Sequence, residues 1–334
     1  MREVDVRRQE SDAIPKVELH LHIDNSISYE GLTRIKPSVS PEEYGRTYVA
    51  PARCTNLNQF LSCAPRHLAL LQSTETLQIL VDDIFGQLER DAVIYAELRF
   101  APLLHTAQGL RPESAVETIA AAMRSMIKAT GIEARLILCT LRHFSESDSL
   151  ATVRLVDEFR ESGVVALDLA GDEAGFPIQP HVAAYKFARD RQISTTAHAG
   201  EACGPESVWQ TLELLRPKRI GHGVRSVEDP KLVEHLRRTR IHLEVCPSSN
   251  VQIVESIDRW SNHPIDRLYR EGVSVSVSTD TRALTRTTLR DEYGLLQQHF
   301  GWSSSDLLSA NLAAIESAFV DESTKTTLRE RLTR

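Results

Sequence analysis

The sequence predicts an α/β protein, a (β/α)8 TIM barrel with a helical lid insertion after its first strand. Short apolar, β-branched runs recur eight times along the 334 residues. Amphipathic helical stretches separate most of them, and strands alternating with helices imply parallel βαβ units. Eight such units close into a barrel. An open doubly wound sheet would need a Gly-rich phosphate loop after an early strand, and none follows the first run.

The runs are KVELHLH ending at His22, VIYAELRF at Phe100, EARLILCTLRH at His143 and VVALDLA at Ala170. ISTTAHAGE then ends at Glu201, RIGHG at Gly223, IHLEVCP at Pro247 and VSVSVSTD at Asp280. Helical patterns include TLQILVDDIFGQLER before the second run and PESAVETIAAAMRSMIKAT before the third. DPKLVEHLRRTR precedes the seventh, and a tail, SSSDLLSANLAAIESAF, follows Trp302 behind a Ser/Asp cap. Residues Asn25 to about Leu71 are too many for an ordinary βα loop and carry a helical signal, LNQFL at 57–61. Such insertions on barrels often cover the site.

A chain of this length reads as one barrel domain over residues 1–334. The formal charge of −7 lacks the basic field of a dedicated nucleic-acid binder. Five scattered cysteines show no CxxC spacing, which points away from a cysteine zinc site or disulfide framework and towards a reducing compartment. The N-terminal stretch MREVDVRRQESD is charged, without an apolar segment of signal-peptide length. No stretch has the apolar length of a membrane span. The expectation is a cytoplasmic protein that binds neither nucleic acid nor membrane.

His20 and His22, two residues apart on a strand, face the same side. They end the first strand, at the rim where barrel active sites lie. Two core histidines are the bland alternative, but each would need a buried hydrogen-bond partner. His198 in TTAHAGE, His222 in IGHG and Asp280 in SVSTDT also end apolar runs. Singly each reads as a loop or cap residue; together they place four histidines and an aspartate on one rim. Zinc takes such nitrogen and oxygen ligands and, in catalytic sites, leaves a position open for water. His20, His22, His198 and Asp280 are the candidate ligands. Glu201, three residues after His198, is either a surface carboxylate or a proton carrier beside an activated water. His222 is either a water-orienting group or a structural histidine.

The ordered set PKVELHLHID, YAELRFAP, ILCTLRH, LDLAGDE, HAGE, GHG, EVCPSSN and STDT resembles the adenosine deaminase family across nearly the whole chain. The resemblance implies one zinc per chain on His20, His22, His198 and Asp280. It implies that Glu201 protonates purine N1 as water attacks C6, and that His222 positions that water. Gly171 would meet N3 through its backbone N–H, and Asp24 would bind a ribose hydroxyl. Leu57, Phe60 and Leu61 resemble an apolar lid motif. The implied partner is a small purine nucleoside, adenosine or 2′-deoxyadenosine, converted to the 6-oxo purine and ammonia. The HxE and PCxxC signature of the other zinc deaminases is absent; Cys246-Pro247 reads instead as the end of the seventh strand.

Two positions depart from the family pattern. Many members carry a second aspartate, donating to N7, where this chain has Thr281, whose hydroxyl can also donate. Asn25 replaces a glycine after the acidic residue, and asparagine tolerates left-handed backbone angles. Aspartate at position 24, where members acting on the free base tend to have glutamate, leans towards a nucleoside. Arg282 is a candidate contact at the pocket mouth for an extended 5′ group. These features keep adenine, an N6-substituted adenosine and aminodeoxyfutalosine open as substrates. AMP is disfavoured by the lack of a basic cluster. A binuclear amidohydrolase would need a bridging lysine or glutamate at the fourth strand end, where the sequence reads LDLAGDE. A non-catalytic barrel would have lost a ligand or Glu201, and all are present.

Overall fold

The computed structural model describes residues 14–333. The charged N-terminal stretch, residues 1–12, lies outside them. Eight parallel strands follow one another around the sheet in chain order. They are β1 Lys16–His22, β2 Val93–Phe100, β3 Glu133–Leu141, β4 Val164–Ala170, β5 Ser194–Ala199, β6 Arg219–His222, β7 His242–Val245 and β8 Val275–Val277. Each occupies its predicted run. Several stop earlier than the apolar pattern. The fifth run turns at Gly200, whose φ is +71°, and the eighth leaves regular pairing before Asp280. The seventh also ends early: Cys246 precedes a helix, Pro247–Ile253, because proline suits a first helical turn.

The barrel closes at its C-terminal rim. Leu21 bridges Asp280, with His22 N–H donating to Asp280 O at 2.7 Å and Asp280 N–H to His20 O at 3.0 Å. Below that level side chains replace the ladder. Val17 N–H donates to Asn311 Oδ1 (2.8 Å) and Leu19 N–H to Ser278 Oγ (3.3 Å). Thr279 N–H and Oγ1 both donate to Glu18 Oε1 at 2.7 Å. This satisfies buried backbone groups that would otherwise be costly.

Helices pack their apolar faces on the outer surface of the strands. Thr74–Arg90 starts in a Ser73/Thr76 capping box and buries Leu77, Leu80, Val81, Ile84, Phe85 and Leu88. Pro112–Thr130 begins on proline and ends at Gly131. Pro230–Thr239 and Ser304–Ser317 fall where predicted, the latter behind a Ser303/Asp306 capping box. Among the described residues no helix is long and apolar enough to cross a membrane.

Between β1 and Thr74 lies a helical insertion of four short helices, Tyr29–Ile35, Pro41–Thr47, Leu57–Leu61 and Ala64–Leu68. Ala50, Cys54, Leu57, Phe60 and Cys63 form one apolar cluster with Ile253 and Leu284. The Arg53 guanidinium donates to the carbonyls of Val251, Val254, Glu255 and Ile257. The insertion is thus fastened to the segment that follows β7.

Candidate active site

The strand ends place the predicted residues together. Glycine at 221 lets β6 lie close to the site: a Cβ there would sit 3.0 Å from His20 Cε1 and 3.3 Å from His198 Cα. His22 Nε2 and His198 Nε2 face each other at 3.1 Å. Asp280 Oδ1 lies 3.5 Å from His20 Nε2 and 3.7 Å from His22 Nε2. His20, His198, His222 and Asp280 each offer a ligand atom within 4.8 Å of the others. The structure therefore brings the four candidate ligands and His222 together on one rim.

His222 and Asp280 hold φ of +59° and +63°. Left-handed angles at residues other than glycine cost about 1–3 kcal/mol each and gather at functional sites. The backbone turns sharply there and aims both side chains inward. Asn25 behaves otherwise than expected. It closes a 3-10 turn, Ile23–Asn25, and is not among the residues with positive φ, so no left-handed angle explains it.

A layer of partners that sequence reasoning left without roles holds these groups. His20 Nδ1 lies 2.8 Å from Glu244 Oε2, and His198 Nδ1 lies 3.2 Å from Asp168 Oδ1. Arg99 ties the two carboxylates together, donating to Asp168 Oδ2 (3.0 Å) and Glu244 Oε2 (2.7 Å). Ser249 Oγ donates to Asp280 Oδ2 at 2.6 Å. Asn250 Nδ2 donates to Glu201 Oε1 at 3.2 Å and to His222 Nδ1 at 3.1 Å. Glu173 accepts from the N–H groups of Gly200 (2.7 Å), Glu201 (3.1 Å) and Cys203 (2.9 Å), which fixes the turn carrying Glu201. The signal was present: Glu173 and Asp168 lie in LDLAGDE, and Ser249 and Asn250 in EVCPSSN.

Burial divides the charges. It pushes the Glu201 carboxyl well above the usual range, helped by the negative charges of Asp280 and Glu173 and opposed by the Asn250 hydrogen bond. It pushes His222 and His22 well below theirs. Burial would also raise Asp280, but the imidazoles of His20, His222 and His22 around it hold that carboxyl below its ordinary value. Burial thus favours the protonated form of Glu201, while the imidazoles favour the ionised form of Asp280.

A cavity of about 470 Å³ opens over the cluster. Its wall includes His22, His198, His222, Glu201 and Asp280, and also Asp24, Gly171, Thr281, Leu57, Phe60 and Leu61. Asp24 is buried, accepts from Ala101 N–H at 3.2 Å, and is pushed up to about 6 by burial. Thr281 Oγ1 lies 3.1 Å from Thr285 Oγ1. Gly171 sits at φ +95°, where a side chain would be strained. Arg282 departs from expectation. It is buried away from the cavity wall and donates to Glu18 Oε2 (2.6 Å) and Asp91 Oδ2 (2.7 Å). Two buried carboxylates demand a buried cation, and that claim outweighs the mouth.

The sequence model of the family described as adenosine deaminase matches residues 15–334. The adenosine deaminase of Haemophilus ducreyi is 35% identical over 324 residues, covering 93% of this chain and 94% of that protein. Among solved structures, the N6-mAMP deaminase of Arabidopsis superposes with a TM-score of 0.87 at 25% identity, over 97% of this chain and 99% of that one. An amidohydrolase from Burkholderia ambifaria with bound zinc gives 0.87 at 25%, over 98% and 91%. The ordered motifs, the barrel that gathers them on one rim, and a family match over nearly the whole chain agree: this protein is a member of the adenosine deaminase family, a hydrolytic deaminase.

Proposed function

We propose that the chain hydrolyses the 6-amino group of an adenine nucleoside, with adenosine and 2′-deoxyadenosine as first substrates, using one zinc ion per chain. Deamination of a 6-aminopurine has the support of the family. The observation that carries the finer reading is the placing of Glu201: a buried carboxyl on the wall of a purine-sized cavity, 3.4 Å from His222 Nδ1 and beside the histidine–aspartate cluster, where burial pushes it well above the usual carboxyl range.

The residues fit a metal ion. His20 Nε2 is buried and makes no hydrogen bond, and an unpartnered buried ring nitrogen is costly unless something accepts it. The Nε2 atoms of His22 and His198 lie 3.1 Å apart beside it, and the Asp280 carboxylate is within 3.7 Å of His20 and His22. Three imidazoles and one carboxylate form a zinc donor set, which His20, His22, His198 and Asp280 would supply. When bound, the ion would supply Lewis acidity that brings the pKa of a water molecule towards neutrality.

The chain's own groups do the rest. With the Asn250 amide donating to Nδ1, the His222 ring carries its proton on Nε2 and orients the attacking water over C6. Glu201 gives its proton to N1 as C6 becomes tetrahedral, and Asn250 holds the acid and the histidine in fixed relation. Asp24 accepts from a ribose hydroxyl, the Gly171 N–H meets N3, and the Thr281 hydroxyl donates to N7. Leu57, Phe60 and Leu61 cover the base as the lid, keeping bulk water from the reacting carbon.

Ammonia release by the purified protein tests this over adenosine, 2′-deoxyadenosine, adenine, AMP, N6-methyladenosine and aminodeoxyfutalosine. Adenosine turning over fastest supports the reading. Turnover confined to adenine or to a 5′-extended member moves the substrate, and no turnover of any by zinc-loaded protein overturns it.

A further inference from the structure

Asn250 stands between the proposed acid and the proposed water-orienting histidine, and its shape alone does not decide which end of the amide faces them. The amide oxygen and nitrogen are nearly the same size, so the donors and acceptors around them set the orientation. His263, a buried ring with no part in the mechanism above, meets the other end of that amide. Its Nε2 lies 3.4 Å from Asn250 Oδ1, and Ile265 N–H donates to its Nδ1 at 3.1 Å. A backbone N–H can only donate. Nδ1 is therefore an acceptor, and the neutral ring carries its one proton on Nε2, where it donates to Asn250 Oδ1. Burial keeps the ring neutral, pushing it from 6.5 down to about 3.

We propose that His263 is a positioning residue for the reaction: by holding Asn250 Oδ1 it turns the amide nitrogen to Glu201 and His222, which sets the tautomer of that histidine and leaves the proton of the acid free for N1. The inference rests on the roles given to Glu201 and His222 in the reading above. The amide nitrogen donates to Glu201 Oε1 at 3.2 Å and to His222 Nδ1 at 3.1 Å. An accepting Nδ1 puts the imidazole proton on Nε2. An accepting Oε1 puts the carboxyl proton on Oε2, the oxygen that Asn250 does not hold. Turned over, the same amide would present Oδ1 to both groups. It would draw a proton to His222 Nδ1 and accept the Glu201 proton itself, tying the acid to Asn250 instead of the base. The series starts at the first residue of the helix Ile265–Arg270. A main-chain group, which cannot turn over, thus dictates the orientation of the side chains that follow it.

The experiment uses zinc-loaded full-length protein with adenosine. His263→Asn keeps a short acceptor for Ile265 N–H but cannot reach Asn250, whereas the longer amide of His263→Gln can still donate there. With both variants folded and zinc-loaded, His263→Asn is expected to lower kcat about 10–100-fold, the range for loss of a supporting partner, with KM changed less than about twofold. His263→Gln should stay within about threefold of the unaltered enzyme. In an Asn250→Ala background, His263→Asn should change kcat by less than about twofold, since its effect runs through the missing amide. The imidazole 15N signals of His222, identified by their loss in His222→Gln, should shift from the Nε2–H to the Nδ1–H pattern in His263→Asn. Equal losses in the Asn and Gln variants overturn the inference, as does an undiminished loss in the Asn250→Ala background or an unchanged His222 tautomer. Failure of the unaltered enzyme on every 6-aminopurine overturns the deaminase reading itself, and the tautomer comparison, which needs no turnover, still decides what His263 does.

Discussion

Glu244 Oε2 lies 2.8 Å from His20 Nδ1, with both side chains fully buried. The pair fixes the imidazole so that Nε2 faces the cluster. Glu244 also neutralises Arg99 and Arg219, so it serves the site and the barrel core together. Glu244→Gln should lower metal affinity about 10–100-fold, as loss of such supporting partners does. It should also destabilise the fold by about 3–5 kcal/mol, because a buried cation loses its partner. Chelator competition and denaturant unfolding of the metal-free protein read the two effects separately. Unchanged values in both would refute the assignment.

Glu201→Gln keeps the shape of the side chain and removes its acid. Turnover should fall about 10²–10⁴-fold, the range for general acid catalysis. Metal content and melting temperature should stay near those of the unaltered protein. A rate loss below fivefold would place the proton donor elsewhere.

Gly221 permits the close approach of β6 to the His20 ring. A methyl there must push that ring or the strand aside. Gly221→Ala should cost about 1–3 kcal/mol, as overpacking does, and should lower metal occupancy under limiting zinc. Full occupancy with native stability would show the ring free to give way.

Thr281 is the clearest departure on the cavity wall. If its hydroxyl donates to N7, Thr281→Ala loses one neutral hydrogen bond, and kcat/KM should drop about 3–10-fold. The comparison that isolates N7 is 7-deazaadenosine, on which the alanine variant and the parent should be equal. An equal drop on both substrates would assign Thr281 to loop structure alone.

Glu292 links stability to pH away from the cluster. Burial raises its carboxyl from 4.5 to about 8, while Ser248 N–H and the Thr287 hydroxyl donate to it. Between those two pKa values the folded state holds a proton that the unfolded chain has released, so this group's contribution falls as pH rises. Glu292→Gln cannot ionise. Its melting temperature relative to the parent should therefore climb from pH 5 to pH 8. A pH-independent difference would mean that the carboxyl is ionised in the fold throughout.

The fold and the residues gathered at the candidate site were legible in the sequence because both leave periodic or terminal marks. Eight apolar runs mark eight strands, and His20, His22, His198, His222 and Asp280 interrupt or end such runs, so each stands out. The supporting partners leave no such mark. Glu244 and Arg99 sit inside apolar strands, where a charge reads as an outward-facing residue until the barrel shows that it points inward to an opposite charge. Arg282 misled for a related reason: its neighbour Thr281 lines the cavity, but the side chain turns back to Glu18 and Asp91, remote in sequence. Asn250 was hidden by the helix that begins at Pro247, where the pattern read as the end of a strand.

Among the described residues one isolated bridge, from Leu21 to Asp280, shuts the barrel, and the candidate ligands lie on both sides of that seam. During synthesis on the ribosome, the chain carries His20 and His22 long before it carries Asp280. At the proposed site, four-ligand zinc uptake would therefore have to wait until the eighth strand has emerged and docked. Nascent or prematurely ended chains would hold such an ion weakly and lose it to cellular chelators, so that loading with metal would double as a test that translation ran to the last strand.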